Sequence, residues 1–392
     1  MERYIHPRLD PNERFRERRR QTIRRRRRRR LAAAAVLLAL GAGVGLGSTQ
    51  ITAGKHSAGS QAPIRVDRPN LPRAYPREVR GVHVSMALAG LEGKVDEYIA
   101  LRSYGLNAIE VDVKDENGKI GFVTPAIPKL ARAIGSAAAY YDARTVIGKI
   151  HAAGMYLIGR VVVFEDPILS AARPELAVLR RGGSRWVNNG GLGWVNPYDK
   201  RVWRYVVGVA VAAAKVGFDE IQFDYVRFPS DGDLSQIVYR HETAEPKGTT
   251  IAGFLRYASA QLHPLGVRVS ADVFGLAATH DLGIGQVPKR IAPYLDALYP
   301  MVYPSHYSSG EYGIQEPDAY PGRTVARALL DFRRQLKGRH TTLIPWLQDF
   351  SLGHPYTLIE VTDQIAAARR QHARGFMLWN PEGLYTREAL SD

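Results

Sequence analysis

Short apolar runs alternate with amphipathic segments along most of the chain, and this repetition restricts its fold more than any other feature. Alternating strand and helix patterns favour βα units and a parallel sheet. Eight strands with seven intervening helices in about 310 residues predict an α/β protein with the (β/α)8 TIM-barrel fold. The predicted strands are 80–85, 108–113, 156–163, 220–226, 267–273, 297–303, 342–348 and 375–380. The predicted helices are 92–104, 142–153, 198–216, 249–262, 286–295, 322–337 and 358–373.

Positive charge is concentrated at the start of the chain. Residues 1–30 contain 14 arginines and 4 acidic residues, a net charge of +10 out of +16 for the whole chain. The remaining residues are only weakly basic, so we expect no nucleic-acid partner. Like charges in such a run are typical of a solvated tail.

An uncharged segment follows the arginines directly. Its 17 residues, 31–47, reach the lower limit of a membrane span of roughly 17 to 25 residues. Because positive residues stay on the cytoplasmic side, the segment predicts a single-pass membrane protein with an extracytoplasmic C-terminal domain. No convincing Ala-x-Ala cleavage site follows, which favours an uncleaved signal anchor over a cleaved signal peptide that would release a secreted protein.

These features divide the chain into four parts. We predict a basic cytoplasmic tail over 1–30, a transmembrane signal anchor over 31–47 and a flexible linker over 48–78, which is rich in Ser, Gly, Ala and Pro. The barrel domain is predicted over 79–392.

Several kinds of site are excluded or disfavoured by composition. The chain has no cysteine, which excludes disulfides, thiol catalysis and cysteine metal sites. Its histidines His83, His280 and His306 follow different strands without the short spacings of a zinc site. We therefore expect no metal and no other cofactor.

Acidic residues lie on the polar face of the predicted strands, near their ends. In 220–226, Glu220, Gln222 and Asp224 share one face, because side chains alternate along a strand. The same alternation puts Asp272 on the polar face of the fifth strand and Asp112 on that of the second. In a barrel this face points inward, toward the end of the barrel where the active site lies.

Two inward carboxylates suit the cleavage of a glycosidic bond. One carboxyl must stay protonated to assist the leaving oxygen, and a second must stay ionised to attack or to stabilise positive charge. We predict Asp224 as the nucleophile or charge stabiliser, Asp272 as the general acid/base and Asp349 as a third acid that orients a sugar hydroxyl. The residues expected to bind the substrate are His83, Asp112, Arg160, Trp194, Asn196, Gln222, Arg227, Tyr303, His306, Gln348 and Trp379.

Four segments resemble a known family. They are Arg80-Gly-Val-His83, Trp194-Val-Asn-Pro-Tyr198, Ile221-Gln-Phe-Asp-Tyr-Val-Arg-Phe-Pro229 and Pro300-Met-Val-Tyr-Pro-Ser-His-Tyr307. Together they are similar to the glycoside-hydrolase-like TIM-barrel domain of bacterial envelope proteins, a distant relative of the amylase clan. The resemblance implies a catalytic role for Asp224. Amylase-type enzymes carry Glu and Arg where this chain has Asp272 and Gln222.

The function predicted from these observations is a membrane-tethered, extracytoplasmic glycoside hydrolase that cleaves a cell-envelope or exported polysaccharide. Two alternatives remain open. The barrel could bind glycan or peptidoglycan without catalysis, which would be favoured if an arginine were ion-paired to each acid. It could also be a carbohydrate esterase or deacetylase, which would need a metal or a base beside a hydroxyl.

Overall fold

The computed structural model describes residues 74–240 and 244–391 of the chain. The predicted tail, the predicted anchor and residues 48–73 of the predicted linker lie outside the described residues. None of the helices in the two described ranges is both long and apolar enough to cross a membrane.

Eight parallel strands close into a barrel, which confirms the predicted strand repeat. Each strand pairs with its predecessor in the chain, and the last strand pairs with the first. Because the barrel is closed, every strand has a hydrogen-bonded neighbour on each side. The strands are β1 Val79–Val84, β2 Ala108–Lys114, β3 Tyr156–Val162, β4 Glu220–Asp224, β5 Arg268–Phe274, β6 Ala297–Met301, β7 Thr342–Leu343 continued by Trp346–Gln348, and β8 Gly375–Trp379.

The seven predicted helices are present between the strands. The α-helices of the described residues are α1 Met86–Ala89, α2 Lys94–Ala100, α3 Lys129–Ala133, α4 Ala143–Ala152, α5 Pro167–Ala172, α6 Lys200–Val216, α7 Lys247–Leu262, α8 Pro288–Ile291, α9 Pro321–Leu336 and α10 Leu358–Arg370. Two predicted helices are only partly α-helical, because α2 and α8 each continue as a 3₁₀ turn. The short helices α1, α3 and α5 were not predicted and lie in connections that follow strands.

Two strands differ from their predicted bounds for local reasons. β4 ends at Asp224, two residues early, because Tyr225 has a left-handed φ of 49° that a strand cannot continue through. β7 is interrupted before Trp346 by Pro345, which has no N–H to donate to a neighbouring strand. An unpredicted antiparallel pair, Leu179–Arg180 with Ile237–Val238, joins the connections that follow β3 and β4.

The side chains of the strands alternate between two cores. Outward residues such as Ile109, Phe223 and Val269 pack into a large core with the helices. Inward residues such as Tyr299 and Trp346 form a smaller cluster inside the barrel. Because the barrel interior is filled in this way, an inward carboxylate near a strand end is held in a buried site.

Helix α6 sets the position of β4. It begins at the N-cap Asp199, whose side chain accepts a hydrogen bond from the Arg201 N–H, and it ends at Gly217, whose φ is 118°. Between these ends its buried face carries Val202, Val206 and Ala213 among others. The following Asp219 accepts a hydrogen bond from the Leu157 N–H at 2.9 Å, which ties the start of β4 to β3.

Barrel closure depends on Gly375. Its φ is 120°, and an added Cβ would collide with the backbone of Val79, the first residue of β1. Gly375→Ala is therefore expected to lower the free energy of unfolding by about 3 kcal/mol, because backbone strain and overpacking add. Chemical denaturation of the full chain measures this loss. Gly310→Ala is the matched control, since Gly310 has a φ of 85° with open space around it. An equal loss in both variants would contradict the role of close packing.

Candidate active site

Ionisable side chains converge inside the barrel at the carboxyl ends of the strands. They come from five consecutive strands and are all buried. The group consists of His83 on β1, Glu110 and Asp112 on β2, Arg160 on β3, Asp224 on β4 and Asp272 on β5. This end of a TIM barrel is where active sites are built.

Arg160 joins two of the carboxylates. Its Nη2 donates to Asp224 Oδ2 at 2.8 Å and its Nε to the same oxygen at 3.0 Å, while its Nη1 donates to Asp112 Oδ1 at 2.7 Å. Glu116 lies on the solvent side of Arg160, with its Oε2 3.5 Å from Nη1. We call these contacts of Arg160 the Arg160 network. These short, charge-assisted hydrogen bonds fix the positions of Asp224 and Asp112 relative to the guanidinium.

Asp224 is also held by the backbone that follows it. The Tyr225 N–H donates to Asp224 Oδ1 at 2.7 Å, and Tyr225 has the left-handed φ of 49° described above. A non-glycine residue keeps such a conformation only when its surroundings enforce it. The Tyr225 ring lies 6.0 Å from that of Trp194 and 4.9 Å from the Arg227 guanidinium. Both oxygens of Asp224 therefore accept hydrogen bonds in a fixed orientation.

Asp272 has neutral donors as hydrogen-bond partners. Its Oδ1 accepts from Gln222 Nε2 and, at 2.7 Å, from Trp346 Nε1. Burial, together with the negative charges of Asp224 and Glu110, raises the pKa of Asp272 well above its usual range, and the two donors only partly offset this. The surroundings of Asp272 thus favour its protonated form.

His83 forms a second buried pair, with Glu110. Its Nδ1 lies 2.6 Å from Glu110 Oε2, and its Nε2 lies 3.7 Å from Asp112 Oδ2. Burial acts to lower the pKa of His83, but Asp112 and Glu110 outweigh burial and raise it. Burial raises the pKa of Glu110, against the effect of His83. The half-buried Trp379 ring lies 4.7 Å from the imidazole, so an indole face borders the acids.

Tyr303 supplies a hydroxyl near both candidate catalytic acids. Burial first, and then the charges of Asp272 and Asp224, raise the pKa of Tyr303 well above its usual range. The side chain therefore remains a neutral phenol, which can donate a hydrogen bond to a ligand. Its ring packs edge-on against His306 at 5.1 Å and Phe350 at 5.8 Å.

Residues 81–385 match a protein-family model described as "Putative glycosyl hydrolase domain". The chain belongs to this family. The match covers the barrel from Gly81 onward, and it confirms the resemblance inferred from the four sequence segments. A search of curated proteins found no match.

Solved structures share the fold of this glycosyl hydrolase domain. The glycoside hydrolase domain of PgaB (BpsB) from Bordetella bronchiseptica matches with a TM-score of 0.58 and 14% identity, over 81% of this chain and 99% of that one. The catalytic domain of beta-amylase from Paenibacillus polymyxa matches with a TM-score of 0.51 and 12% identity, over 80% and 95%. A GH20 exo beta-N-acetylglucosaminidase from Vibrio harveyi matches with a TM-score of 0.51 and 14% identity, over 81% and 54%. These identities are low, and the matches support the barrel fold alone.

Asp349, predicted as a third acid of the glycosyl hydrolase domain, lies outside the Arg160 network. Its Oδ1 and Oδ2 accept from the hydroxyl and the N–H of Thr386, both at 2.7 Å. Burial raises the pKa of Asp349, and these bonds oppose the rise. In the described structure Asp349 anchors the C-terminal segment to the end of β7.

The predicted binding residues of the loops are buried in packing. Trp194 is fully buried, so its ring offers no exposed face for a sugar. Asn196 accepts from the Tyr198 N–H and donates to the Arg240 carbonyl. Arg227 lies among aromatic rings and donates to Ser230 Oγ at 2.8 Å. These three residues shape the loops around the acids.

Gln348 likewise holds loops together at the end of β7. Its side-chain oxygen accepts from the Ser305 N–H at 3.1 Å, and its amide donates to the Phe350 carbonyl at 3.0 Å. Through Ser305 it fixes the turn that carries Tyr303 and His306. Gln348 therefore acts on the site through these neighbours.

The prediction missed three residues of the site and one hydrogen-bond partner of Asp349. Glu110 shares the inward face of β2 with Asp112, so strand alternation could have identified it. Trp346 likewise shares a face of β7 with Gln348, so strand alternation could have identified it too. Tyr225 and Thr386 act through a backbone conformation and a long-range contact, for which the sequence carries no signal.

Among residues 74–240 and 244–391, no three acidic or histidine side chains are grouped so that they could hold a metal ion.

Proposed function

We propose that the chain is a membrane-tethered, extracytoplasmic glycoside hydrolase that cleaves a cell-envelope or exported polysaccharide. Membership of the glycosyl hydrolase family supports the reaction class. The basic segment 1–30 and the uncharged segment 31–47 support the tether and its orientation, since positive residues remain cytoplasmic.

One observation carries the proposed chemistry, which is the contrast between two buried carboxyls on adjacent strands. Asp224 is paired with the cationic Arg160 guanidinium at 2.8 Å. Asp272 is surrounded by neutral donors, and its pKa is raised by burial and by Asp224. Two acids whose surroundings separate their protonation states are what glycoside hydrolysis requires.

The catalytic roles of Asp272 and Asp224 follow from their different surroundings. Asp272 gives its proton to the glycosidic oxygen as the bond from that oxygen to the anomeric carbon breaks, and the electron pair of the bond stays on the oxygen. The Asp224 carboxylate meets the positive charge that develops on the anomeric carbon, either by bonding to it or by stabilising it. Water then adds to that carbon, and where Asp224 has bonded to it this bond breaks and its electron pair returns to the carboxylate. The water gives one proton to Asp272, so one water molecule is consumed for each glycosidic bond cleaved.

A substrate screen tests this proposal. The full chain in an uncharged detergent is incubated with purified cell-envelope and exported glycans, and new reducing ends are counted. We expect at least one glycan to be cleaved by the wild type and left intact by Asp224→Asn. Cleavage by both proteins, or by neither while other assays show activity of another class, would overturn the proposal.

The hydrogen bond from Trp346 gives a prediction for the pH profile. That bond favours the ionised form of Asp272, so Trp346→Phe is expected to raise the pKa of Asp272 further. An acid catalyst is active below its pKa and inactive above it. The alkaline limb of the kcat profile should therefore move to higher pH in Trp346→Phe. Trp203→Phe is the control, because Trp203 Nε1 donates to a loop carbonyl outside the site. An alkaline limb that stays in place or moves to lower pH would argue against Asp272 as the acid.

One observation favours a second function, glycan binding without turnover. Arg160 occupies Oδ2 of Asp224, and an ion-paired carboxylate is a weaker nucleophile. A barrel that binds glycan without catalysis was expected to have an arginine ion-paired to each acid. Among the described residues, however, an arginine pairs with Asp224 and none pairs with Asp272. Retention of a glycan on immobilised protein without any new reducing end would support binding alone.

A further inference from the structure

A cavity with basic walls lies at the opposite end of the barrel from the acids. It has a volume of about 340 Å³ and opens between the end of α9 and the starts of β7 and β8. Its lining residues are Arg333, Leu336, Thr341, Thr342, Leu343, His372 and Arg374. The three basic side chains are all exposed to solvent.

The positive charge of this cavity is not neutralised within the described structure. Arg333 donates to the neutral side chain of Gln371 at 3.1 Å, and Arg374 donates to the Arg77 carbonyl at 3.3 Å. Over residues 74–240 and 244–391, no carboxylate lies within ion-pair distance of Arg333, His372 or Arg374.

Three acidic residues on elements next to the cavity already have ion-pair partners. Asp296, whose carbonyl accepts from the Thr342 N–H, is paired with His263 at 2.9 Å. Glu78 is paired with Arg80 and Arg369, both at 2.8 Å. Asp331 is paired with Arg334 at 2.9 Å. Neither cavity arginine has a carboxylate partner among the described residues, and an anion in the cavity would be attracted to both.

A basic residue in the last turn of a helix is stabilised by the helix dipole, but this explains only one of the basic residues around the cavity. Arg333 lies in the last turn of α9, where a cation is stabilised by the helix dipole. His372 and Arg374 lie beyond the end of α10, and the exposed Lys337, Arg339 and His340 lie beyond the end of α9. The surplus of basic residues extends across the whole face around the cavity.

The N-terminal part of the chain reaches the barrel at this same face. Tyr75, the second described residue, lies with its ring 3.9 Å from the Arg268 guanidinium and 5.1 Å from that of Arg374. It also packs edge-on against Tyr156 at 5.3 Å. The first described residues thus lie beside the basic cavity, on the side of the barrel away from Asp224.

We propose that this cavity binds the phosphate of an anionic phospholipid headgroup in the membrane to which the chain is tethered. Guanidinium groups match phosphate oxygens with paired hydrogen bonds, and a basic surface is attracted to an anionic leaflet. Binding there orients the catalytic end of the barrel away from the membrane. The inference rests on the membrane tether of the proposed function.

The test uses the full chain in an uncharged detergent. The melting temperature of the barrel is followed by near-UV circular dichroism during titration with dioctanoyl phosphatidylglycerol, dioctanoyl phosphatidylcholine or inorganic phosphate. We expect phosphatidylglycerol to raise the melting temperature of the wild type, since a ligand that binds only the folded state stabilises it. Arg333→Gln combined with Arg374→Gln should weaken the apparent affinity about 10- to 100-fold.

Matched variants separate this site from other positive charge. Arg323→Gln combined with Arg327→Gln removes two exposed arginines from the first half of α9 and should leave the affinity unchanged. Arg333→Lys combined with Arg374→Lys keeps the charge and should give an intermediate affinity. Melting temperatures without ligand show whether each variant is folded.

Three results would overturn the inference. Equal shifts in all variants would assign the effect to the arginines of 1–30. Inorganic phosphate acting as strongly as phosphatidylglycerol, with the same dependence on Arg333 and Arg374, would make the ligand free phosphate. Absence of any shift would remove the site. Glycan cleavage and membrane fractionation on the same preparations report separately on the proposed function and its tether.

Discussion

Asp224→Asn is expected to lower turnover by about 10³-fold or more while leaving the fold intact. Asparagine carries no charge, so it can neither attack the anomeric carbon nor stabilise its positive charge, and losses of this size are typical when such a group is removed. The single side-chain oxygen of the introduced asparagine could still accept from Arg160, while its amide nitrogen would replace the oxygen that accepts from the Tyr225 N–H, and that one bond would be lost. Arg160 would also keep its bond to Asp112 at 2.7 Å. We therefore expect a loss of less than about 3 kcal/mol in the free energy of unfolding, below that for breaking a buried pair outright.

Asp219→Asn is the matched control for this variant. Asp219 is a buried carboxylate just before the same strand, at the other end of the barrel, where it accepts from the Leu157 N–H and pairs with His151 at 3.0 Å. Its substitution should reduce stability and leave turnover unchanged. Reducing-end assays for kcat and denaturant titrations measure both quantities. Full activity of Asp224→Asn on the true substrate would falsify the assignment.

Asp272→Asn is expected to lower kcat by about 10²- to 10⁴-fold, the usual contribution of a general acid. Asparagine keeps an oxygen that can accept from Trp346 and Gln222, so the fold should persist. The loss should depend on the leaving group, since an aryl glycoside that departs without a proton does not need the acid. We expect the variant to approach wild-type rates on such a substrate and to fail on an alkyl or sugar leaving group.

The pH dependence of Asp272→Asn follows from the raised pKa of Asp272. The wild type needs the protonated form, so its activity should be present below that raised pKa and fall as the pH rises through it. The variant has no such group and should lose this alkaline limb. Measurement of kcat against pH for both proteins checks the expectation. An unchanged limb, or an equal loss on both classes of leaving group, would assign Asp272 another role.

Strand alternation predicted correctly which acids point into the barrel. Asp112, Asp224 and Asp272 are all inward and buried, because the period of two is a local property of an extended chain. The roles of the loop residues around these acids could not be predicted from the sequence in the same way. Trp194 and Asn196 were predicted as binding residues from their place on a long loop, yet both are buried in loop packing. Whether a loop aromatic faces solvent depends on its partners across the fold.

The sequence by itself determined the barrel and the inward faces of its strands, since both follow from repeats that span a few residues. The tertiary structure alone decided which groups surround the two acids. Arg160 reaches Asp224 across 64 residues of sequence, and Trp346 reaches Asp272 across 74. The charge of a buried carboxyl depends on which distant groups surround it and on how much water they exclude. Those contacts exist only once the barrel has closed.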